Sequence, residues 1–240
     1  MDERKTLLII PTFNEEESIA VLLPQIQALE LSILIVDDGS TDNTIKVVQK
    51  FIDEGLNIEI LQRGKKLGLG SAYIDGFVLA ISRGFDRVIQ MDADGSHQVS
   101  DLIRMLIASE MKSNPELIIG SRWVNGGKVL NWNKGREYLS RSANKYSEFM
   151  LKLGVKDSTA GFRIYRTSLL KRMQLRTIRS EGFSFQIEMT QRAIKQNAII
   201  VEIPITFIER VHGKSKMSRK IILEAMIRVT FWGLQRGLKK

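Results

Sequence analysis

The 240-residue sequence contains no cysteine, only two histidines and only four prolines. The absence of cysteine excludes disulfide bonds, cysteine-ligated zinc, iron–sulfur clusters and thiol nucleophiles. Because His97 and His212 are the whole histidine complement, a histidine-rich metal site is equally disfavoured. Long hydrophobic runs are also missing. The most apolar stretch, 221–234, contains Glu224 and Arg228 and is shorter than the roughly 20 residues of a membrane span. We therefore predict no transmembrane helix, and the acidic N-terminus predicts no signal peptide.

The composition is that of a globular chain, with 43% hydrophobic and 26% charged residues, and the length suits one large domain. The net charge of +9 is unevenly distributed. Residues 1–120 hold 11 basic and 19 acidic side chains, whereas residues 121–240 hold 25 basic and 8 acidic ones. This asymmetry favours a site that holds a cation on one side and anions on the other.

Short apolar runs alternate with stretches of helical period in the front half, which is typical of a parallel α/β sheet. Five strands are predicted, at Thr6–Ile10, Ile33–Val36, Ile58–Leu61, Arg87–Met91 and Leu117–Gly120. Helices are predicted between them, with buried stripes over 19–29 and 45–52, and another helix is predicted around Glu137–Leu153. We expect one α/β domain over 1–218, with a mainly parallel, Rossmann-like sheet flanked by helices. A basic amphipathic helix over 219–240 should bind a membrane surface or a partner, or pack on the core of the protein.

Acidic side chains follow three of the predicted strands. They are Glu15, Glu16 and Glu17 after the first, Asp37 and Asp38 after the second, and Asp92 and Asp94 after the fourth. Because ligands of such sheets bind at the carboxyl ends of the strands, we expect these side chains to line one site. A dinucleotide-binding site is disfavoured, since the glycine turn after the first strand is missing and the glutamates would repel a phosphate there. Gly68 and Gly70 precede a later helix and by themselves indicate little about phosphate binding.

Asp92 and Asp94, on either side of Ala93, predict a divalent cation site. Their carboxylates match the oxygen ligation of Mg²⁺ or Mn²⁺, which bridge to phosphate oxygens. Such an ion acts as a Lewis acid on a leaving diphosphate. A structural turn is the alternative interpretation. Asp37 and Asp38 are better placed for hydrogen bonds to a ribose or a base.

Cationic side chains in or beside apparent loops of the back half are candidate phosphate ligands. They are Arg122, Arg136, Arg141, Arg163, Arg210 and Lys216. Arg210 and Lys216 flank a glycine, which predicts a loop that closes on a diphosphate. Arg136 and Ser140 are four positions apart on one helix face and could hold a second phosphate. A solvated basic loop is the alternative for the first pair.

The combination of these motifs resembles one family. The segments that carry the resemblance are Pro11-Thr-Phe-Asn-Glu15, Asp37-Asp38-Gly-Ser-Thr-Asp42, Gly68-Leu-Gly70, Met91-Asp-Ala-Asp94-Gly-Ser-His97, Gly120-Ser-Arg122-Trp, Gly161-Phe-Arg163, Ile203-Pro-Ile-Thr-Phe207, Arg210 and Lys216. Together they resemble the dolichol-phosphate and polyprenol-phosphate mannose synthases of the family 2 glycosyltransferases. The segments 120–123, 131–132 and 215–219 are most similar to the actinobacterial polyprenol-monophosphomannose synthases.

The resemblance implies an A-type glycosyltransferase fold and an inverting transfer of mannose from GDP-mannose to a polyprenyl monophosphate. It implies guanosine contacts from Pro11, Phe13, Glu15, Val36 and Asp38. Metal, diphosphate and sugar would be bound by Asp92, Ala93 and Asp94, with Mg²⁺ or Mn²⁺ on the two aspartates. Arg210 and Lys216 would hold the diphosphate, and Arg122, Arg136 and Ser140 the lipid phosphate. Asp94 and Arg122 are the expected catalytic residues. Gly95 and Ser96 stand where some relatives have a glutamine that helps to bind the metal, which leaves a third protein ligand open.

The implied setting is the cytoplasmic face of a membrane, with the enzyme bound peripherally through its C-terminal helix or through a separate integral membrane protein. The chemistry agrees with a phosphate acceptor. A phosphomonoester has a second pKa near about 6 and is already a dianion at neutral pH, so no general base is required. The protein then needs only to position the substrates and stabilise charge.

Two alternatives remain at this point. A polyprenyl-phosphate glucose synthase that uses UDP-glucose would need the same machinery, since mannose and glucose differ at one hydroxyl. A non-catalytic basic protein that binds nucleic acid or an anionic membrane would explain the positive half. The acidic strand ends argue against a nucleic-acid groove, so we expect no nucleic-acid partner.

Overall fold

A computed structural model of the protein describes residues 6–210 and 219–237. The front half alternates strands and helices: β1 (Thr6–Thr12), α1 (Glu16–Gln27), β2 (Ser32–Asp37), α2 (Thr44–Asp53), β3 (Ile58–Gln62), α3 (Leu69–Ser82), β4 (Arg87–Gln90), α4 (Val99–Ser109) and β5 (Leu117–Ser121). The back half contains β6 (Lys128–Leu130), α5 (Lys134–Leu151), β7 (Arg163–Arg166), α6 (Thr167–Arg172), α7 (Gly182–Lys195), β8 (Ile200–Pro204), β9 (Thr206–Ile208) and α8 (Arg219–Gly237).

Seven strands form the central sheet, in the order β3-β2-β1-β4-β7-β5-β8. β7 runs antiparallel to both of its neighbours, β4 and β5, and the remaining strand pairs are parallel. A separate parallel pair joins β6 to β9. The mixed α/β architecture with a mainly parallel sheet confirms the predicted fold class.

The core lies on both faces of the sheet, because the strand side chains alternate between them. On one face Leu8, Ile10 and Ile35 pack against α1, α2 and α4. On the other face Ile9 and Val36 pack against α3, α6 and α7. Buried strands of this kind read as nearly continuous apolar runs, which explains why the sequence identified them.

All five predicted strands are confirmed, with their ends shifted by one or two residues. The helix predicted around Glu137–Leu153 is confirmed as α5, which begins three residues earlier. β7 and β8 were not predicted as strands, and neither were the three-residue strands β6 and β9. Segments of three or four residues carry too few positions to show a period of two.

The C-terminal helix packs on the core of the protein, which is one of the two alternatives that the sequence left open. α8 packs on α5 through the buried Val229, a 2.6 Å hydrogen bond between Tyr146 and Thr230, and the close approach of Gly233 to Met150. Another part of its surface stays exposed and apolar. That part comprises Met226, Ile227, Phe231 and Leu234, which are 48–61% exposed. Within residues 6–210 and 219–237, no helix has the length and apolarity needed to cross a membrane.

Candidate active site

The candidate site lies at the carboxyl ends of the strands, around the point where the strand order reverses. The chain runs from β1 outward to β3 on one side, and continues from β4 on the other side of β1. Open α/β sheets bind their ligands at this kind of switch point. The loops that follow β1, β2 and β4 meet here, as expected from the sequence.

The acids after β2 hold the neighbouring loops together. The Asp37 carboxylate accepts hydrogen bonds from the Thr12 hydroxyl at 2.9 Å and from the backbone of Gly39 and Ser40 at 3.0 and 2.9 Å. Gly39 has a φ of 81° and packs against the backbone of residues 64–65, so a side chain there would be strained.

Asp38 is buried and its carboxylate is engaged within the chain. It accepts hydrogen bonds from the backbone N–H groups of Leu67 and Gly68 at 3.2 and 3.0 Å, and Arg63 lies 2.8 Å from its other oxygen. The start of α3 at Leu69 is therefore neutralised by a carboxylate of the protein. Gly68 lies in this turn with a φ of 99°, and Gly70 lies inside α3, where it packs closely against Phe185.

The remaining residues assigned to the guanosine surround the same end of β1 and β2. Pro11 and Phe13 are partly exposed, and the Lys66 ammonium lies 4.2 Å from the centre of the Phe13 ring. The Glu15 carboxylate accepts a 3.2 Å hydrogen bond from Ser18. Val36 is fully buried in β2. Their contacts with a nucleotide stay predictions.

Asp92 and Asp94 follow β4 and are fixed by separate partners. The Tyr73 hydroxyl of α3 donates a 2.7 Å hydrogen bond to Asp92. The Asp94 carboxylate accepts a 3.1 Å hydrogen bond from the Ser96 backbone. Burial, and then the charge of Asp94, raise the pKa of Asp92. Burial also raises the pKa of Tyr73 well above its usual value, so this hydroxyl stays a donor.

The donor set of this loop fits a hard divalent cation that completes its shell with ligand oxygens. Ala93, between the two aspartates, is buried. Among the described residues, no group of three or more acidic, histidine or cysteine side chains is arranged to hold a metal. An ion at Asp92 and Asp94 would therefore draw its other ligands from water and from a substrate, as Mg²⁺ commonly does.

His97 ends this loop and connects it to β9. Its ring stacks on Phe162 with centroids 4.6 Å apart, its Nδ1 accepts a 3.3 Å hydrogen bond from the Asp92 backbone, and it forms an isolated bridge with Phe207. Burial lowers the pKa of His97. The loop is therefore held by backbone contacts to the strand that precedes Arg210.

Arg210 reaches the predicted metal ligands. Its guanidinium lies 3.3 Å from the Asp94 carboxylate. It follows β9, whose Ile208 donates a backbone hydrogen bond to Ser96 at 3.2 Å. Lys216, the second predicted diphosphate ligand, lies outside the described residues.

Arg122 lies after β5 and is buried against an acid that the sequence did not single out. Its Nε and Nη2 donate hydrogen bonds to the two oxygens of Asp157, both at 2.7 Å. Burial raises the pKa of Asp157, but the charge and the hydrogen bonds of Arg122 together lower it by more. The pKa of Asp157 therefore lies below its usual value. The backbone turns sharply after Arg122, and a side chain at Gly127 would lie 2.5 Å from the Ser121 carbonyl.

Arg136 lies in the first turn of α5 and pairs with Glu209. The backbone N–H of Arg136 is capped by the Asn133 side chain at 2.8 Å, which fixes where the helix begins. Ser140, one turn further, is partly exposed. Because Glu209 and Arg210 are adjacent, the Arg136 pair and the Asp94 pair meet at the end of β9.

Two tryptophans separate the arginines of this region. The guanidinium of Arg136 lies 4.1 Å from the Trp132 ring centre, that of Arg141 4.1 Å from Trp123, and that of Arg122 5.3 and 5.5 Å from the two rings. These cation–π contacts add to the carboxylate partners of the three arginines, which are Asp157, Glu209 and Glu137. The predicted cations Arg122, Arg136 and Arg141 are therefore brought together.

Arg163 corrects one expectation. The sequence suggested a phosphate ligand in a loop, but Arg163 lies in β7 and is fully buried. It donates hydrogen bonds to the carbonyls of Ala160 and Ser158 at 2.7 and 2.8 Å and to the Tyr165 hydroxyl at 3.1 Å. Its charge therefore stabilises the turn before β7 and does not reach a ligand.

Several residues of the site were missed from the sequence. They are Arg63, Tyr73, Asp157, Thr159 and Glu209. Asp157 and Thr159 precede the Gly161-Phe-Arg163 motif, and Glu209 precedes Arg210. Proximity to these motifs was the available signal, whereas Arg63 and Tyr73 lie in a loop and a helix with no distinguishing pattern.

Comparison with known proteins identifies close relatives over nearly the whole chain. Polyprenol monophosphomannose synthase of Mycolicibacterium smegmatis is 42% identical over 240 residues, which cover 99% of this chain and 90% of that protein. Undecaprenyl-phosphate mannosyltransferase of Micrococcus luteus is 44% identical over 232 residues, which cover 96% and 94%.

Solved structures share the fold at lower identity. Glucosyl-3-phosphoglycerate synthase of Mycobacterium tuberculosis, solved with Mn²⁺ and UDP-glucose, has a TM-score of 0.67 and 18% identity, over 97% of this chain and 79% of that one. The mannosyltransferase PcManGT of Pyrobaculum calidifontis, solved with GDP-Man and Mn²⁺, has a TM-score of 0.60 and 15% identity, over 98% and 64%. The family model of Glycosyl transferase family 2 matches residues 7–174. The chain therefore belongs to the family 2 glycosyltransferases and is an enzyme with the A-type glycosyltransferase fold.

Proposed function

We propose that this enzyme transfers mannose from GDP-mannose to a polyprenyl monophosphate, with inversion at the anomeric carbon. The names of the two relatives, at 42% and 44% identity, support the sugar and the lipid acceptor. The donor is supported by the structural relative that was solved with GDP-Man. A polyprenyl-phosphate glucose synthase that uses UDP-glucose is the alternative outcome of the assay below.

One observation carries the proposal, namely the ion pair between Arg210 and Asp94 at 3.3 Å. Through the adjacent Glu209 and its partner Arg136, it joins the predicted metal ligands to the predicted acceptor cations. A leaving diphosphate and an attacking phosphate must lie on opposite sides of the same sugar carbon. The predicted metal ligands and the predicted acceptor cations must therefore lie close together. The contacts of Glu209 and Arg210, at the end of β9, support that arrangement.

On the donor side, Asp92 and Asp94 would hold Mg²⁺ or Mn²⁺, and Ala93 would contact the sugar. The bound ion would supply Lewis-acid stabilisation of the leaving diphosphate. Arg210 and Lys216 would donate to the diphosphate oxygens. Pro11, Phe13, Glu15, Val36 and Asp38 would surround the guanosine at the ends of β1 and β2.

On the acceptor side, a phosphate oxygen attacks C1 of mannose as the bond from C1 to the diphosphate oxygen breaks. GDP leaves with the electron pair, and no proton has to be removed from the dianionic phosphate. Arg122, Arg136 and Ser140 would orient it. In the described part of the chain, the buried Nε groups of Arg136 and Arg210 have no hydrogen-bond acceptor. These two free donors support the binding of anionic ligands here. Buried donors of this kind normally have partners.

We further propose that the enzyme binds the cytoplasmic face of a membrane peripherally, with or without an integral membrane partner. The exposed apolar residues of α8 support this, together with Tyr138 and Phe149 on α5, which are 75% and 79% exposed. The positive back half suits anionic headgroups. Flotation with anionic vesicles should recover the wild type, and Phe231→Glu should reduce that recovery. Val21→Glu, at an exposed apolar position on α1, serves as the control.

A transfer assay tests the reaction. The purified enzyme is given labelled GDP-mannose, GDP-glucose or UDP-glucose with farnesyl phosphate, with and without Mg²⁺ or Mn²⁺. We expect mannosyl transfer from GDP-mannose that stops when the ion is chelated. Transfer only from UDP-glucose would establish the alternative, and transfer that is equal with and without the ion would contradict the metal assignment.

A further inference from the structure

The pair formed by Arg122 and Asp157 is buried, and only the Arg122 side chain keeps a small exposed fraction. Their side chains are 6% and 0% exposed. The Asp157 carboxylate accepts hydrogen bonds from Nε and Nη2 of the guanidinium, both at 2.7 Å. It also accepts a hydrogen bond from the backbone N–H of Arg122 at 3.0 Å. This bidentate geometry fixes the plane of the guanidinium as well as its position.

Asp157 is itself held in place by the backbone around it. Its N–H and that of Lys156 donate to the two oxygens of Glu202 at 3.0 and 2.8 Å. The carbonyls of Ser158 and Ala160 accept from the buried Arg163. The turn that carries Asp157 is therefore anchored to β7 and β8.

A second set of contacts connects the same carboxylate to α5. The amide nitrogen of Asn144 donates to Thr159 at 2.9 Å and to Asp157 at 3.3 Å, and its oxygen accepts from the Ser158 hydroxyl at 3.1 Å. Thr159 also accepts from Nη2 of Arg122 at 2.8 Å. Asn144 is one turn beyond Ser140, so the cluster fixes α5 relative to Arg122.

These contacts occupy Nε and Nη2 of Arg122 and leave Nη1 without a hydrogen bond to the described residues. The pair of Arg136 with Glu209 differs, since those side chains are 20% and 27% exposed. A bound phosphate would therefore be able to replace Glu209 on Arg136, whereas it would not reach the fully buried Asp157 to replace it on Arg122. Asp157 is therefore a permanent partner of Arg122.

We infer that Asp157 is a positioning residue for the acceptor phosphate, which holds Arg122 with Nη1 directed to the ligand and, through Asn144, sets its distance from α5. This inference rests on the proposed function, because it takes Arg122 as an acceptor ligand. Asp157 itself does not touch the substrate.

The first test compares Asp157→Asn with the wild type. Calorimetry with farnesyl phosphate gives the acceptor Kd, and steady-state transfer gives the KM of each substrate. We expect a loss of acceptor affinity of about 10- to 100-fold, typical of a charged hydrogen bond, and a donor KM within about twofold. Equal effects on both substrates, or none on either, would overturn the inference.

Controls separate positioning from stability. Glu188→Gln breaks another largely buried pair, with Arg192 at 2.6 Å, and should lower the melting temperature without changing the acceptor Kd. Should Asp157→Asn not fold, Thr159→Val removes one acceptor of Arg122 and keeps the ion pair. It should weaken acceptor binding by about threefold to tenfold, and an unchanged Kd would count against the inference.

A double variant tests whether Asp157 acts through Arg122. On the Arg122→Met background, Asp157→Asn should cause no further loss of acceptor affinity, since the group that it positions is gone. Additive losses would contradict the inference. Wild-type binding of farnesyl phosphate without mannosyl transfer would refute the proposed function alone. Failure of the wild type to bind farnesyl phosphate would refute both.

Discussion

The proposed donor edge, at the ends of β1, β2 and β4, and the proposed acceptor edge, around Arg122 and the start of α5, hold their charged groups in opposite ways. At the donor edge, the buried carboxylates of Asp37 and Asp38 accept hydrogen bonds from backbone N–H groups and so shape loops. At the acceptor edge, Arg122 and Arg136 are held by carboxylates from distant segments. Acids therefore organise both edges, and the local charge is far more balanced than the totals of the two halves suggest.

The comparison also separates permanent partners from exchangeable ones. Asp157 is fully buried, whereas Glu209 and the side chain of Arg210 retain access to solvent. Asp94 and Arg210, both on the proposed donor edge, neutralise each other. In the proposed function a ligand would therefore replace Glu209 on Arg136 and Asp94 on Arg210, whereas it would meet Arg122 with Asp157 still in place.

The largest expected effect is at the donor edge, for Asp94→Asn. Removal of this carboxylate should lower kcat by at least about 10³-fold, as for the loss of a main electrostatic contribution to the transition state. Mannosyl transfer at saturating substrate and ion measures it. Asp53→Asn, at an exposed position on α2, is the control and should retain full activity. Substantial activity of Asp94→Asn would contradict the metal assignment.

Acid unfolding tests the permanent pair at the acceptor edge. Asp157→Asn should destabilise the fold by about 3 kcal/mol at neutral pH, because it leaves a buried charge unpaired. Since Arg122 lowers the pKa of Asp157 in the folded state, the pair stabilises the fold above the unfolded pKa. This stabilisation is lost as the pH falls through the folded value. The melting temperatures of wild type and variant should therefore converge below about pH 4, and a constant gap would contradict the assignment.

Arg136→Ala tests the exchangeable pair. It should raise the KM for the lipid phosphate by about 10-fold or more, the value of a charged hydrogen bond, while the KM for the donor changes little. Arg172→Ala, which breaks a pair with Glu116 at 2.8 Å outside the site, should change neither. Equal effects of Arg136→Ala on both substrates would remove the distinction between the two edges.

The smallest expected effect concerns the support of Asp92. Tyr73→Phe removes the hydroxyl that donates to this carboxylate at 2.7 Å and keeps the ring. Groups that orient a metal ligand are worth about 10-fold or more in metal affinity. Titration of activity with Mn²⁺ should show a rise of about tenfold in the half-saturating concentration with an unchanged acceptor KM. Tyr165→Phe, in the same core, is the matched control.

The sequence predicted the sheet well and the pairing of its charges poorly. Four of the five front strands are largely buried runs, such as Leu8 to Ile10 in β1, and apolar runs between polar loops are visible in a single sequence. β7 escaped notice because it has four residues and contains Arg163 and Arg166. The sequence alone does not distinguish an arginine that is buried in a strand from one that lies in an exposed loop.

The candidate site was likewise predicted in part: its motifs were identified, but the pairing of its charged residues was not. Asp92, Asp94 and Arg210 were found because they belong to motifs at strand ends, and the structure brings them together. Asp157 and Glu209 were missed because their partners are 35 and 73 positions away. Only the topology of the sheet determines which distant charges become neighbours.

The late position of β7 in the chain has a consequence for how the enzyme is synthesised. β7 is the shared neighbour of β4 and β5, yet it follows both of them in the chain, with α5 between. Until the ribosome has released residues 163–166, two inner strands therefore lack a hydrogen-bonding neighbour, and unpaired edges of this kind invite association with other chains. The nascent protein should depend most on chaperones in that interval, after the donor edge is translated and before the acceptor edge can be assembled.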